Sequence, residues 1–339
     1  MTLDDAPAVR IPLNTLAIVF GLAGLADVWT FGVAALTLPV GISIALWMIA
    51  AVSWLWLIVA HTTRGAHSSE TLRHQLRHPV QGPIGALAPI VGMLLAASLH
   101  PYFPTVSTVL VATFIAVTAV FAGWLISTWM TGTLVVESIH GGYFLPTVAG
   151  GLIAATTAAE VGLTSIAIGA FVAGVFFWAV MTTVILTRLM LHPALPDPLI
   201  PTLAIFVAPP AVAGTAWFLV DPVAGPIEFG LAALTVLMLL VQLALLPRYL
   251  TLGFSLGFWS FTFPFAAVAA YGIEWLTRLE PAGWQALVAA IIVAITVLVA
   301  TVGFKSIRLF QHGHRRNAHP VGAQTPLSAP VPPEMIEVS

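Results

Sequence analysis

Residues 251–276 read TLGFSLGFWSFTFPFAAVAAYGIEWL. The run is apolar and long enough to cross a bilayer, since a helix needs about 20 residues to span ~30 Å of hydrocarbon. Pro264 interrupts it near its middle, behind Trp259, Phe261 and Phe263. A proline inside a helix removes its own N–H and crowds the carbonyl four residues back, here that of Ser260. In lipid, such a break survives only where protein or a water-filled cavity covers it. One reading is a kinked helix that faces a pathway, with Phe263 thrown out at the kink. The other is that proline is simply commoner in membrane helices than in soluble ones.

The rest of the chain belongs to the same kind of protein. Of 339 residues, 59% are hydrophobic and 7% charged; mean hydropathy is +1.03. Soluble domains carry about 25% charged residues, so the fold class is an all-α polytopic membrane protein. The opening MTLDDAPAVR lacks a small-residue cleavage site and reads as retained rather than as a removable signal peptide. Without cysteine there is no disulfide and no thiolate metal site, and no basic patch is large enough for nucleic acid.

Apolar runs predict ten spans, at about 12–36, 40–60, 84–100, 104–132, 144–159, 162–189, 199–219, 227–246, 256–276 and 284–309. This divides the chain into an N-terminus (1–11), a transmembrane domain (12–310) and a polar, proline-rich tail (311–339) that reads as disordered. Charge tests the count, because cytoplasmic loops collect Lys and Arg. With ten spans, Arg10, Arg64, Arg73, Arg77, Arg188, Arg248, Lys305, Arg308, Arg315 and Arg316 share one side. Only Arg278 of the 11 basic residues faces the other. Both termini are thereby predicted to be cytoplasmic, in a multi-pass protein of the plasma (inner) membrane.

The spans alternate in kind. Odd ones carry Pro and Gly; even ones are smoother and rich in Leu, Val, Ile and Trp. Pro12, Pro83, Pro146, Pro201 and Pro264 recur 55 to 71 residues apart, one helical hairpin per interval. The odd starts look alike: IPLNTLAIVFGLAG, GPIGALAPIVG, FLPTVAGG and IPTLAIFVAPPAVAG. Weak internal similarity of this kind marks repeat-built transporters. Five hairpins that all start on the cytoplasmic side point the same way. The expected architecture is five kinked inner helices around a central pore, with five regular helices outside against lipid.

These pieces resemble the tellurite-resistance/dicarboxylate transporter family, which includes TehA-like bacterial proteins and plant slow anion channels. The resemblance is carried by VFGLAGLADVW, YFLPTVAGG, LPDPLIPTLAIFVAPPAVAG and above all GFWSFTFPFAAVA, spread over about 12–309. It implies ten helices as five hairpins around a pore, a homotrimer with a pore in each protomer, and a phenylalanine before the proline of the ninth helix that plugs the pore. The matching position is Phe263. It also implies small inorganic or organic anions as what passes; no residue of the chain fixes the sign of the ion. Asp27 is a departure, since related chains tend to carry an uncharged polar residue there.

Around the plug, the reading places Pro264, Gly24, Gly92, Gly150 and Gly214 at or near the pathway, with Phe20 and Phe206 as candidate further constrictions. Asp27, inside the first span, either points away and pairs with a neighbouring helix or is a protonated, proton-coupling residue. His74 and His78, at i, i+4 spacing, suit a metal pair or an exposed basic interfacial helix, the second being the default. Glu137 and His140 read as a solvated loop, and Trp47, Trp54, Trp56, Trp124 and Trp129 as interfacial anchors. No catalytic set, cofactor site or metal site stands out. The functions that remain are an anion channel or channel-like exporter and, as alternative, a proton-coupled carrier of C4-dicarboxylate, sulfite or tellurite. A membrane enzyme or sensor would need polar clusters within the spans, and the spans lack them.

Overall fold

The computed structural model describes residues 10–132 and 134–318, with side chains described up to 311. Most of the predicted N-terminus and tail, 1–9 and 319–339, lies outside the described residues. Ten apolar helical segments follow one another: α1 (Leu13–Leu36), α2 (Gly41–Ala66), α3 (Gly82–Ser98), α4 (Pro104–Met130), α5 (Gly141–Glu160), α6 (Thr164–Leu191), α7 (Asp197–Val220), α8 (Pro226–Leu250), α9 (Leu256–Leu279) and α10 (Trp284–Gln311). Among the described residues, nine of them are long and apolar enough to cross a membrane; α3 is shorter. The last helix continues to Ala318, so the chain from Gln311 stays helical for two further turns.

The alternation read from proline and glycine is structural. Every odd helix begins in backbone wound off α geometry: a 3-10 turn at Leu13–Thr15, Gly82–Ala86, Gly141–Phe144, Asp197–Val207 and Leu256–Phe258. In α5 a π-helical turn over Leu145–Ala149 follows. No even helix starts this way. Prolines at or near these starts lack the N–H that a regular α ladder needs, and i→i+3 winding tolerates them in short pieces. Odd and even helices are joined on the far side by loops of three to five residues, such as 37–40 and 161–163. Connections this short force antiparallel hairpins. Thr37 (φ 51) and Glu280 (φ 44) end α1 and α9 in the left-handed region, the same C-terminal cap used twice.

Burial sorts the helices into two rings. In the most apolar stretch of α1, α5, α7 and α9, 56–83% of residues are buried, against 17–28% in the even helices. α3 shows the inner pattern, with Leu87, Ile90, Val91 and Met93 at 1% exposure or less. The inner helices pack in sequence, α1 on α3, α3 on α5, α5 on α7 and α7 on α9, and α9 closes the ring on α1. Each even helix lies outside its hairpin partner. α2 is bolted inward by indole N–H donors, from Trp47 to Thr30 Oγ1 (3.0 Å) and from Trp54 to the Ala88 carbonyl (2.9 Å). Those two tryptophans therefore tie rings together, whereas Trp56 is 67% exposed on the outer face.

Candidate functional site

A cavity of about 290 Å³ lies at the N-terminal ends of the inner helices. Its wall comes from the five odd helices and the residues just before them; no even helix contributes. This is the end at which the chain's basic loop residues, among them Arg64, Arg73 and Arg77, are found. Among the described residues the wall carries no Asp, Glu, Lys or Arg, and its polar groups include Asn14, Gln81, His140, Thr202 and Ser260. Asn14 Oδ1 has no hydrogen-bond partner among the described residues. Phe20 from α1 and Phe263 from α9 border the cavity and stack on each other, ring centroids 3.6 Å apart and planes at 13°. Both rings are under 8% exposed. Pro264 lies within a continuous α-helical stretch, Trp259–Leu279, and Phe263 before it lies flat on Phe20 of the adjacent inner helix.

The electrostatics of this cavity come from backbone. Five helices begin around it, and each helix N-terminus presents unpaired N–H groups worth roughly half a positive charge. Some are satisfied locally: Leu13 N donates to Gln81 Oε1 (3.3 Å), Gly141 N to Thr202 Oγ1 (3.3 Å) and Gly142 N to His140 Nδ1 (3.1 Å). His140 is fully buried, which corrects the solvated-loop reading. Its Nε2–H donates to the Val80 carbonyl (3.0 Å). One ring nitrogen accepting and the other donating fixes the neutral tautomer. Burial holds the pKa of the ring down at about 4. Tyr143, behind the wall, donates its hydroxyl to the Pro79 carbonyl (2.8 Å).

The small residues expected along the pathway lie at helix contacts. A Cβ on Gly24 would meet Ala266 Cβ and Phe263 Cδ2, both at 3.0 Å, so this glycine lets α1 approach α9 directly beside the stacked rings. Gly92 faces Phe114 and Gly150 faces Thr118, both on α4, and Gly214 lies against the Tyr271 ring. None of the four borders the cavity, while Pro264 does. Phe206 packs edge-on against Phe144 (4.9 Å) behind the wall.

Asp27 lies seven residues beyond Phe20 on α1, about 10 Å further along the axis. It is half-buried and makes no hydrogen bond or ion pair with any described residue. The charged groups acting on it are Glu274 of α9 and Glu160 at the end of α5. Glu274 is held by Arg278 (3.0 Å). The pairing partner expected for Asp27 on a neighbouring helix is therefore absent among the described residues. His74 and His78 do not form a pair: His74 Nδ1 bonds Glu70 (3.0 Å), and His78 Nδ1 accepts from Val80 N (3.2 Å).

A profile of the SLAC1 family, described as voltage-dependent anion channel, matches residues 10–307. The chain belongs to that family. It is 25% identical to the tellurite resistance protein TehA homolog of Haemophilus influenzae, over 79% of this chain and 82% of the relative. It is also 25% identical to the S-type anion channel SLAH3 of Arabidopsis thaliana, over 86% of this chain. The S-type anion channel SLAH2 of the same plant is 24% identical over 87%. The match covers 47% and 58% of the two plant proteins. Membership in the SLAC1 family agrees with the resemblance drawn from GFWSFTFPFAAVA.

Two features escaped the sequence. His140 reads as loop because nothing local announces that the 78–81 segment folds over it. The ring of helix N-termini was implicit in five hairpins that all start on one side.

Proposed function

We propose that this protein conducts small anions through the axis of its inner ring, with Phe263 as the plug and Phe20 as its seat. The observation that carries the reading is the cavity bordered by all five inner helices and by the stacked rings. The chemistry is consistent. An anion entering from the cytoplasmic end meets helix N-termini and neutral polar groups, a favourable but weak environment, and conduction needs binding weak enough to leave. The names of the relatives, two S-type anion channels and a tellurite resistance homolog, support the same class. In this proposal α3 counts as a tenth crossing. The protein sits in the cell membrane with both termini cytoplasmic and assembles as a homotrimer with one pathway per protomer.

Reconstituted into vesicles, Phe263→Ala is expected to raise anion flux strongly over the parent. Truncation of a packed ring also costs about 3–5 kcal/mol of stability, so folding is checked by size exclusion and melting. A variant that folds yet conducts no better than the parent sinks the plug assignment.

A second reading rests on Asp27. An unpaired carboxylate among other carboxylates suits a proton site, and with it a proton-coupled carrier of C4-dicarboxylate, sulfite or tellurite. Flux driven by a pH gradient alone, without a membrane potential, distinguishes the carrier from the channel.

A further inference from the structure

The inner helices carry no Lys or Arg beyond Arg278, which lies at the far end, yet a cation is buried behind the cavity wall. Arg188, in the last turn of α6, is 2% exposed. Its guanidinium donates to the carbonyls of Pro193 (2.8 Å) and Glu137 (3.3 Å), and its Nε has no partner. No carboxylate forms an ion pair with it among the described residues. A buried charge is normally paired, because leaving water is costly. From this site we infer that Arg188 is a selectivity residue of the proposed channel: its unneutralised charge reaches through the wall and concentrates anions in the cavity without touching them.

Position supports this. Glu137, whose carbonyl Arg188 holds, precedes the cavity residue His140 by three positions, and the Arg188 charge acts on the His140 ring. One turn before Arg188, Ile185 packs in the same cluster as Tyr143 and Phe144, and Phe144 borders the cavity. Two negative features offset the field without cancelling it. The C-terminus of α6 supplies about half a negative charge. The Glu137 carboxylate is 53% exposed and engaged by His192 (3.2 Å), so water screens it. Arg188 has no such screening. The inner half of the pathway therefore carries a fixed positive potential that does not bind the ion.

The inference rests on the channel reading, and the test keeps the two apart. Phe263→Ala serves as the open parent, and Arg188→Gln and Arg188→Lys are compared in it. Both substitutions lose the guanidinium fork; only lysine keeps the charge. In about 0.02 M chloride, Arg188→Gln is expected to lower anion conductance on the order of threefold to tenfold and to reduce the anion-to-cation permeability ratio from reversal potentials. Near 1 M salt the difference should vanish through screening, and Arg188→Lys should stay near the parent throughout. Equal behaviour of the Gln and Lys variants, or no change in either, overturns the inference while the channel stands. Should Arg188→Gln fail to fold, the parent itself decides. Fixed charge makes its conductance fall less than proportionally on dilution, and strict proportionality overturns the proposal. A parent with no anion current defeats the channel reading and this inference with it.

Discussion

The Phe20–Phe263 stack depends on the close approach of α1 to α9. Gly24 leaves no room for more than a hydrogen where Phe263 lies, and Pro264 follows it directly. The stack needs α1 and α9 in close register, and this pair is in direct contact along its length. His140 works differently, as a neutral link between the 78–81 segment and the start of α5. Its folded pKa, about 4, lies below the usual 6.5. Below pH 6.5 the unfolded chain takes up a proton that the folded chain refuses, so stability from this group is full above 6.5 and falls as pH drops toward 4. The parent should therefore lose melting temperature across that window, and His140→Gln, which cannot titrate, should show a shallower loss. Equal slopes would exclude the link. Phe263 was legible because proline follows it inside an aromatic cluster. His140 was not, because its burial comes from a segment 60 residues away in sequence.

At the level of elements, the alternating rings were legible from where proline and glycine fall. Proline disfavours regular α winding, so the four proline-bearing starts predict irregular helix entries, and these are present; α9 also enters irregularly, at Leu256–Phe258, but its Pro264 lies inside the α-helix that follows. Glycine was read less well. Its spacing says where a helix approaches something closely, not whether the neighbour is the axis or another helix. Gly92 and Gly150 proved to face the outer helix α4, and Gly214 faces Tyr271 of α9. Tyr271 is held in place by its hydroxyl donating to the Glu228 carbonyl (3.1 Å). A side chain at 214 must push α7 from α9. Gly214→Val is expected to cost about 1–3 kcal/mol through overpacking, read as a lower melting temperature in detergent. Gly123, on the outer face of α4, has nothing within 4 Å of an added Cβ. Gly123→Ala should be neutral or stabilise by up to about 1 kcal/mol. Equal losses in both would mean that the inner contact is not specific.

For the whole molecule, the proposed pathway divides at the stacked rings. On the side of the basic loops lie five helix N-termini, a neutral wall and the buried Arg188. Beyond the rings the side chains that act on one another are Asp27, Glu160 and Glu274, with Arg278 engaged by Glu274. The ring was legible from the proline and glycine alternation and the common direction of the hairpins from the charge tally; this polarity along the axis was not, because nothing in the sequence brings Glu160 and Glu274 to Asp27. An ionised Asp27 on an anion route opposes the permeant ion, and an unpaired charge within a span is costly enough that a functional role is the default. In the open Phe263→Ala background, Asp27→Asn is expected to raise anion conductance at alkaline pH, where the carboxylate is ionised, on the order of threefold, by removing one repelling charge. It should also flatten the dependence of current on outer pH. The channel reading demands that both variants conduct with no pH gradient. If instead a gradient drives uptake in the parent and not in Asp27→Asn, with exchange retained, the protein is a proton-coupled carrier and Asp27 its proton site. An unchanged current and pH profile in a less stable protein would leave Asp27 a packing role, and the outer carboxylates would then lie off the route.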